Sequence, residues 1–111
     1  MSSPAAKRRG PFRNVVDLAC GTGNATLVAA QAGATVTAVD VAPELVAIGR
    51  QKADSLGLDT VAWVTADAAD TGLPAGSFDA VVSNMGIIFV EPAAQVAEIA
   101  RLLKPGGVLG F

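Results

Sequence analysis

The sequence predicts an α/β domain in which helices cover both faces of a parallel sheet, giving a three-layer sandwich. Three observations predict it. The segment Val15-Val16-Asp17-Leu18-Ala19-Cys20-Gly21-Thr22-Gly23 is an apolar run suited to a buried strand, followed by a tight glycine turn that opens a helix. A second apolar run ends in Asp40, 19 residues beyond Gly21, about the distance needed to cross one helix and return along the neighbouring strand. Beyond it, strand-like and helix-like stretches keep alternating, the order that builds a parallel sheet with right-handed crossovers.

Asn14 to Ala19 is the first strand, buried on both faces, with Asp17 as its conspicuous polar member. Glycine at positions 21 and 23 lets the backbone turn sharply and come close to a ligand, because no Cβ stands in the way. The helix from about Asn24 to Ala32 is built from Ala, Leu, Val and Thr, and Gly33 stops it. Thr35 to Val39 is strand two. Pro43 starts the second helix at a position that needs no N–H, Glu44 sits in the favourable first turn, and Leu45, Ile48 and Leu56 mark one side as far as Gly57. Strand three is Val61 to Thr65. Residues 66–77 contain two aspartates, Gly72, Pro74 and Gly76, so a loop with at most one helical turn is expected. Strand four runs from about Ala80 to Ser83, and Glu91-Pro92 opens the clearest helix. There Val96, Ile99, Ala100 and Leu103 share one face, while Arg101 and Lys104 complement the C-terminal dipole. Pro105-Gly106-Gly107 is expected to end this helix and strand five to begin at Val108.

With 111 residues the chain is expected to form one small domain, and 51% hydrophobic against 16% charged residues supplies a core. Residues 18–39 carry no charge, which raises a membrane span. Gly21, Gly23, Asn24, Gln31 and Gly33 break the stretch and its period changes midway, which argues against one. Arg8-Arg9 with Phe12 is faintly like a twin-arginine export signal, but Arg13, Asn14 and Asp17 interrupt any apolar stretch after it. Residues 1–13 hold four of the eight basic residues and are expected to form a basic, flexible tail. Residues 14–111, with four basic residues against ten acidic, carry a formal charge of −6. That acidic body argues against a nucleic-acid surface. One cysteine allows no internal disulfide, and the absence of histidine rules out the usual zinc sets and leaves Cys20 without a base to make it a nucleophile. A reduced, cytoplasmic protein is the expectation.

The glycine turn and Asp40 together point to a nucleoside site. Dinucleotide-binding dehydrogenases share that outline, but their third glycine would fall at Thr26, and Ala19 replaces the first glycine that such a turn is expected to carry. Later signals sharpen the reading. Asp67 follows strand three, Leu73-Pro74 lies in a loop, Phe78-Asp79-Ala80-Val81-Val82 forms a fourth strand, and Leu103-Lys104-Pro105-Gly106-Gly107 precedes a fifth. This series resembles the class I S-adenosylmethionine-dependent methyltransferases, in particular the small-molecule group often called type 11 or type 25, from about Asn14 to Phe111.

The resemblance implies a Rossmann-like fold with strand order 3-2-1-4-5, truncated before two further strands expected beyond Phe111. It also implies S-adenosylmethionine as cofactor, with S-adenosylhomocysteine as product. Ala19, Gly21 and Gly23 would offer backbone to its methionine part, and Asp17 would help position that region; the alternative for Asp17 is an aspartate bonding its own turn. Asp40 would accept from both ribose hydroxyls, the alternative being a helix N-cap before Pro43. Asp67 would accept from the adenine amino group, with the Ala68 backbone N–H at the ring; Asp70 is its rival, and helix capping the alternative for each. Val41 would pack on the adenine, or in the core. Ser83 and Asn84 would hydrogen-bond the methionine part. The segment Ser83-Asn84-Met85-Gly86-Ile87 lacks the Asn/Asp-Pro-Pro-Tyr/Phe pattern of many methyltransferases acting on amino groups of nucleic acid and protein, so the resemblance implies a small-molecule methyl acceptor. Met85, Ile87, Ile88 and Phe89 are expected as core or a hydrophobic lip, Trp63 and Phe78 as packing. No residue stands out as a catalytic base. Competing readings are an NAD-dependent oxidoreductase and a catalytically inactive methyltransferase-like module that binds a nucleoside. The 111-residue piece alone is expected to be inactive as a transferase and to self-associate through the exposed edge of strand five.

Overall fold

The computed structural model describes residues 13–18, 20–83 and 92–110. Five strands form one parallel sheet: β1 (Asn14–Leu18), β2 (Thr35–Asp40), β3 (Val61–Thr65), β4 (Phe78–Val82) and β5 (Leu103–Gly110), in the order β3-β2-β1-β4-β5. The helices are α1 (Asn24–Gln31), α2 (Pro43–Ser55) and α3 (Pro92–Leu102). Order and layers are those expected.

Strand β1 is central, and its alternating side chains feed two cores. Val16 and Leu18 join Val39, Phe78 and Val81 under Ile99 and Leu102 of α3, whereas Val15 joins Val36 and Ala80 under Ala30 of α1. A strand buried on both faces can be apolar throughout, which is why its single carboxylate, Asp17, stands out. Helix α1 ends as Gly33 takes φ 98°: its N–H donates to the Ala30 carbonyl at 3.0 Å, and that of Ala34 donates to Ala29 at 3.1 Å. This pair of bonds satisfies carbonyls that the helix end would otherwise orphan.

Several boundaries differ from expectation. Strand β2 runs on to Asp40, and β4 covers Phe78–Val82, the five residues named among the later signals, rather than Ala80 to Ser83. Helix α3 ends at Leu102, and Leu103 already pairs with Phe78, but the register then jumps so that Val108 faces Ala80. Residues 104–107 are the extra length taken up by that jump, and continuous pairing resumes at Val108, where the fifth strand was expected. Residues 66–77 form no helix, as expected; an isolated bridge joins Asp67 and Asp70.

Arg13, the last residue of the expected tail, is held by its backbone: its N–H donates to Asp79 Oδ2 at 3.0 Å, and its carbonyl accepts from Thr35 at 2.7 Å. The neighbouring N–H of Asn14 donates to the same Asp79 oxygen at 2.8 Å. These backbone bonds, with Lys104, hold the Asp79 carboxyl below the usual range. The rest of that tail, 1–12, lies outside the described residues.

Candidate functional site

Strand order reverses between β1 and β4, and in open α/β sheets ligands bind outside the carboxyl ends of the strands at such a reversal. On the β1 side, Gly23 N–H donates to the Cys20 carbonyl at 2.9 Å and closes the turn, while Cys20 N–H donates to Val39 at 2.8 Å and ties the turn to β2. Gly23 has φ 87° and serves as N-cap of α1, a conformation that glycine adopts without strain.

Asp40 sits at the end of β2 and spans two loops. Its Oδ2 accepts from Gly21 N–H at 2.8 Å and its Oδ1 from Ala42 N–H at 2.9 Å. The expected alternative of an N-cap takes a different form: Ala42 is the N-cap of α2, without a side-chain cap, and Asp40 captures that residue's own N–H. Each carboxylate oxygen keeps a second lone pair, so the two backbone bonds orient Asp40 without exhausting it.

Asp17 is 1% exposed. Its Oδ2 accepts from Thr26 Oγ1 at 2.5 Å, and its Oδ1 has no partner among the described residues. Burial pushes its carboxyl up to about 6, against the opposing hydrogen bonds of Thr26 and with help from the Asp40 charge. The alternative of bonding its own turn is replaced by a bond to the first turn of α1. Thr26, which stands where a dinucleotide fingerprint has its third glycine, is fully buried and is the donor that keeps Asp17 in place. A hydroxyl one turn into the helix beside a strand carboxylate was the available signal.

On the β4 side, Ser83 follows the strand directly and is fully buried, its Oγ without a partner among the described residues. It follows Val82, the register partner of Asp17. Val41 is 71% exposed, which removes the core alternative and leaves an apolar surface beside Asp40. Asp67 and Asp70 are both exposed; Asp67 Oδ1 accepts from Ala69 N–H at 2.8 Å and its carbonyl from Asp70 N–H at 2.9 Å, a local turn in place of a helix cap. The Ala68 methyl belongs to the core, so only its backbone can serve a ligand. Ala19 and Asn84, and with them Met85, Ile87, Ile88 and Phe89, lie outside the described residues. Burial first, then the charges of Asp17 and Asp40, push the Cys20 thiol up to about 12, which disfavours the thiolate that a nucleophile needs.

Beneath the turn lies a contact that no local sequence pattern announces. The six-membered ring of Trp63 abuts both Gly23 and Gly49, and a Cβ on Gly23 would stand 2.8 Å from Trp63 Cη2. Glycine inside a helix costs about 1 kcal/mol relative to alanine, so Gly49 within α2 was a legible hint of close packing.

The side chains gathered here are chiefly hydrogen-bond acceptors beside an exposed apolar surface. Asp17 and Asp40 are acceptors, Ser83 offers a hydroxyl, and the glycine turn admits close approach. Among the described residues, no group of acidic or cysteine side chains is arranged to hold a metal.

A family model described as a methyltransferase domain matches residues 16–111. An uncharacterized protein of Mycobacterium tuberculosis is 41% identical over 106 residues, covering 95% of this chain and 38% of that protein. Nocamycin O-methyltransferase of Saccharothrix syringae is 38% identical over 105 residues, covering 91% and 38%. Among solved structures, geranyl diphosphate methyltransferase in complex with GPP and sinefungin superposes with TM-score 0.83 at 28% identity, over 93% of this chain and 41% of that one. The chain thus spans about two fifths of the length of the curated relatives it matches.

Proposed function

This chain belongs to the methyltransferase domain family, and from that premise we propose that it forms the S-adenosylmethionine-binding part of an enzyme that methylates a small molecule. The observation that carries the reading is that two of the four buried side-chain atoms without a partner among the described residues, Asp17 Oδ1 and Ser83 Oγ, lie at the carboxyl ends of the adjacent strands β1 and β4, the other two being the amide atoms of Gln95 on α3. Buried polar atoms without partners cost free energy, and a ligand that supplies donors removes that cost.

In this reading Asp17 faces the ammonium of the methionine part and Ser83 bonds the same region, with Ala19, Gly21, Gly23 and Asn84 contributing beside them. Asp40, already aimed by Gly21 and Ala42, accepts from the ribose hydroxyls. Val41 lies along the adenine, and Asp67, with the Ala68 backbone, meets its polar edge. The bound cofactor supplies a sulfonium-activated methyl group for in-line displacement. The protein's share is alignment, exclusion of water, and a fixed arrangement of negative charge. Support for a small-molecule acceptor comes from the O-methyltransferase relative and from the segment after β4, which lacks the pattern of enzymes acting on amino groups of nucleic acid and protein.

The proposal extends to place and partners. Cytoplasmic work is supported by the single cysteine. Among the described residues no helix is long and apolar enough to cross a membrane. Val108 and Leu109, exposed on edge strand β5, support association through that edge.

Titration calorimetry with S-adenosylhomocysteine and, separately, NAD tests the cofactor. Heat of binding with the first and none with the second is expected. The reverse pattern would overturn the proposal in favour of a nicotinamide enzyme.

A further inference from the structure

Trp63 is the chain's only tryptophan, and it belongs to β3, two strands away from the strand that leads into the glycine turn. Its register partner on β2 is Ala38, whose methyl leaves room for an indole to lie across the strand. The ring therefore reaches Gly23. A Cβ there would stand 2.8 Å from Cη2 and 3.2 Å from Cζ3, inside the distance that carbon atoms tolerate. Gly49 of α2 meets the same ring edge, with a Cβ falling 2.7 Å from Cη2 and 3.2 Å from the Thr22 carbonyl. Two residues without side chains, one in the turn and one in a helix, thus close on a single aromatic edge.

The consequence concerns the turn more than the core. Gly23 starts α1, and Gly21, two residues earlier, holds Asp40 through its N–H. A displacement of the turn would therefore move a glycine backbone and the carboxylate orientation together. Resting on the cofactor reading above, we propose that Trp63 is a positioning residue for the cofactor site. Its ring fixes the glycine turn against Gly49 of α2 and so sets the backbone that meets the ligand, and its emission reports occupancy of the turn.

The test uses S-adenosylhomocysteine as the probe, on the wild-type chain and on Trp63→Phe, Gly49→Ala and the double variant, at a temperature where each is folded. Wild-type emission is expected to change with ligand at the midpoint found by calorimetry, and that change is absent from Trp63→Phe. Each single variant is expected to weaken binding about tenfold, the scale of one misplaced hydrogen bond. Phenylalanine lacks the outer ring atoms that an alanine at 49 would strike, so the double variant is expected to bind no worse than either single one. A positioning contact predicts that coupling; independent structural damage predicts roughly a hundredfold additive loss instead. Wild-type affinity in Trp63→Phe, additive losses, or emission that ignores a calorimetrically bound ligand would each overturn the proposal. No binding to the wild type would instead overturn the cofactor reading on which it rests.

Discussion

Asp17 and Glu98 are both buried carboxylates of one small domain, yet their surroundings drive them in opposite directions. Glu98, on α3, accepts four hydrogen bonds: from Arg101 Nε at 2.7 Å and Nη2 at 2.8 Å, and from Thr71 N–H at 2.9 Å and Oγ1 at 2.6 Å. The Arg101 bonds first, then those of Thr71, hold it down to about 2 in spite of burial. Among the described residues Asp17 accepts from Thr26 alone, and burial pushes it up to about 6. The difference separates a strut from a socket. Glu98 pins the loop after β3 to α3 with its polar demands met inside the chain, whereas Asp17 keeps an acceptor that the described residues do not satisfy.

The largest effect should come from breaking the strut. Glu98→Ala strands the Thr71 donors and leaves Arg101 unpaired; because Arg101 is partly exposed, the expected loss is about 2–3 kcal/mol, below the full value of a buried pair. Urea unfolding measures it, and affinity for S-adenosylhomocysteine in the folded variant should stay within about threefold. Asp40→Ala should do the opposite. Losing hydrogen bonds to a charged acceptor costs roughly 1.5–3 kcal/mol, or about ten- to a hundredfold in cofactor affinity by calorimetry. Unchanged affinity would falsify the ribose assignment.

Asp17→Asn sharpens the comparison through pH. The folded carboxyl, raised to about 6 from 3.8, binds a proton more readily than the unfolded one. Its contribution therefore favours folding at low pH and declines as pH rises from about 4 to about 6, by ~3 kcal/mol in all. Removing the charge should raise stability at pH 7 by about 1–2 kcal/mol, since an amide still leaves one polar group unpaired, while weakening cofactor binding. Glu98 carries the opposite sign: its stabilisation is present above about 4.5 and is lost as pH falls through about 2. Urea midpoints between pH 2 and 8 for the wild type and Asp17→Asn resolve the two windows. The smallest effect is expected at Asp67, an exposed carboxylate offering one hydrogen bond to an amino group. Asp67→Ala should cost up to about tenfold in affinity, and a larger loss in Asp70→Ala would reassign the adenine contact.

The layers and the strand order were legible because apolar runs, glycine turns and helical spacing are local signals, and because the resemblance supplied the order. The end of α3 was less so. Leu103 continues the helical spacing of Val96 and Ile99 and also pairs with Phe78, so period alone cannot place the boundary. At the site, residue types were readable and partners were not. Asp17 and Asp40 stood out as carboxylates at strand ends, but nothing local reveals that Thr26 donates to one, that Gly21 and Ala42 occupy the other, or that Glu98 reaches Thr71, 27 residues away. Trp63 was rightly expected to pack, but its contacts with Gly23 and Gly49 depend on Ala38 of the intervening strand. Such pairings arise only once the sheet has formed.

The central claim is that the socket at Asp17 is completed by the cofactor's ammonium, and the titration of that carboxyl tests it most directly. Carbon-13 NMR of the Asp17 side chain should find a midpoint near 6 in the free protein. With saturating S-adenosylhomocysteine it should drop below the ordinary aspartate value of about 4, because a neighbouring cation favours the charged form. A midpoint that stays near 6 while calorimetry shows the ligand bound would contradict the account.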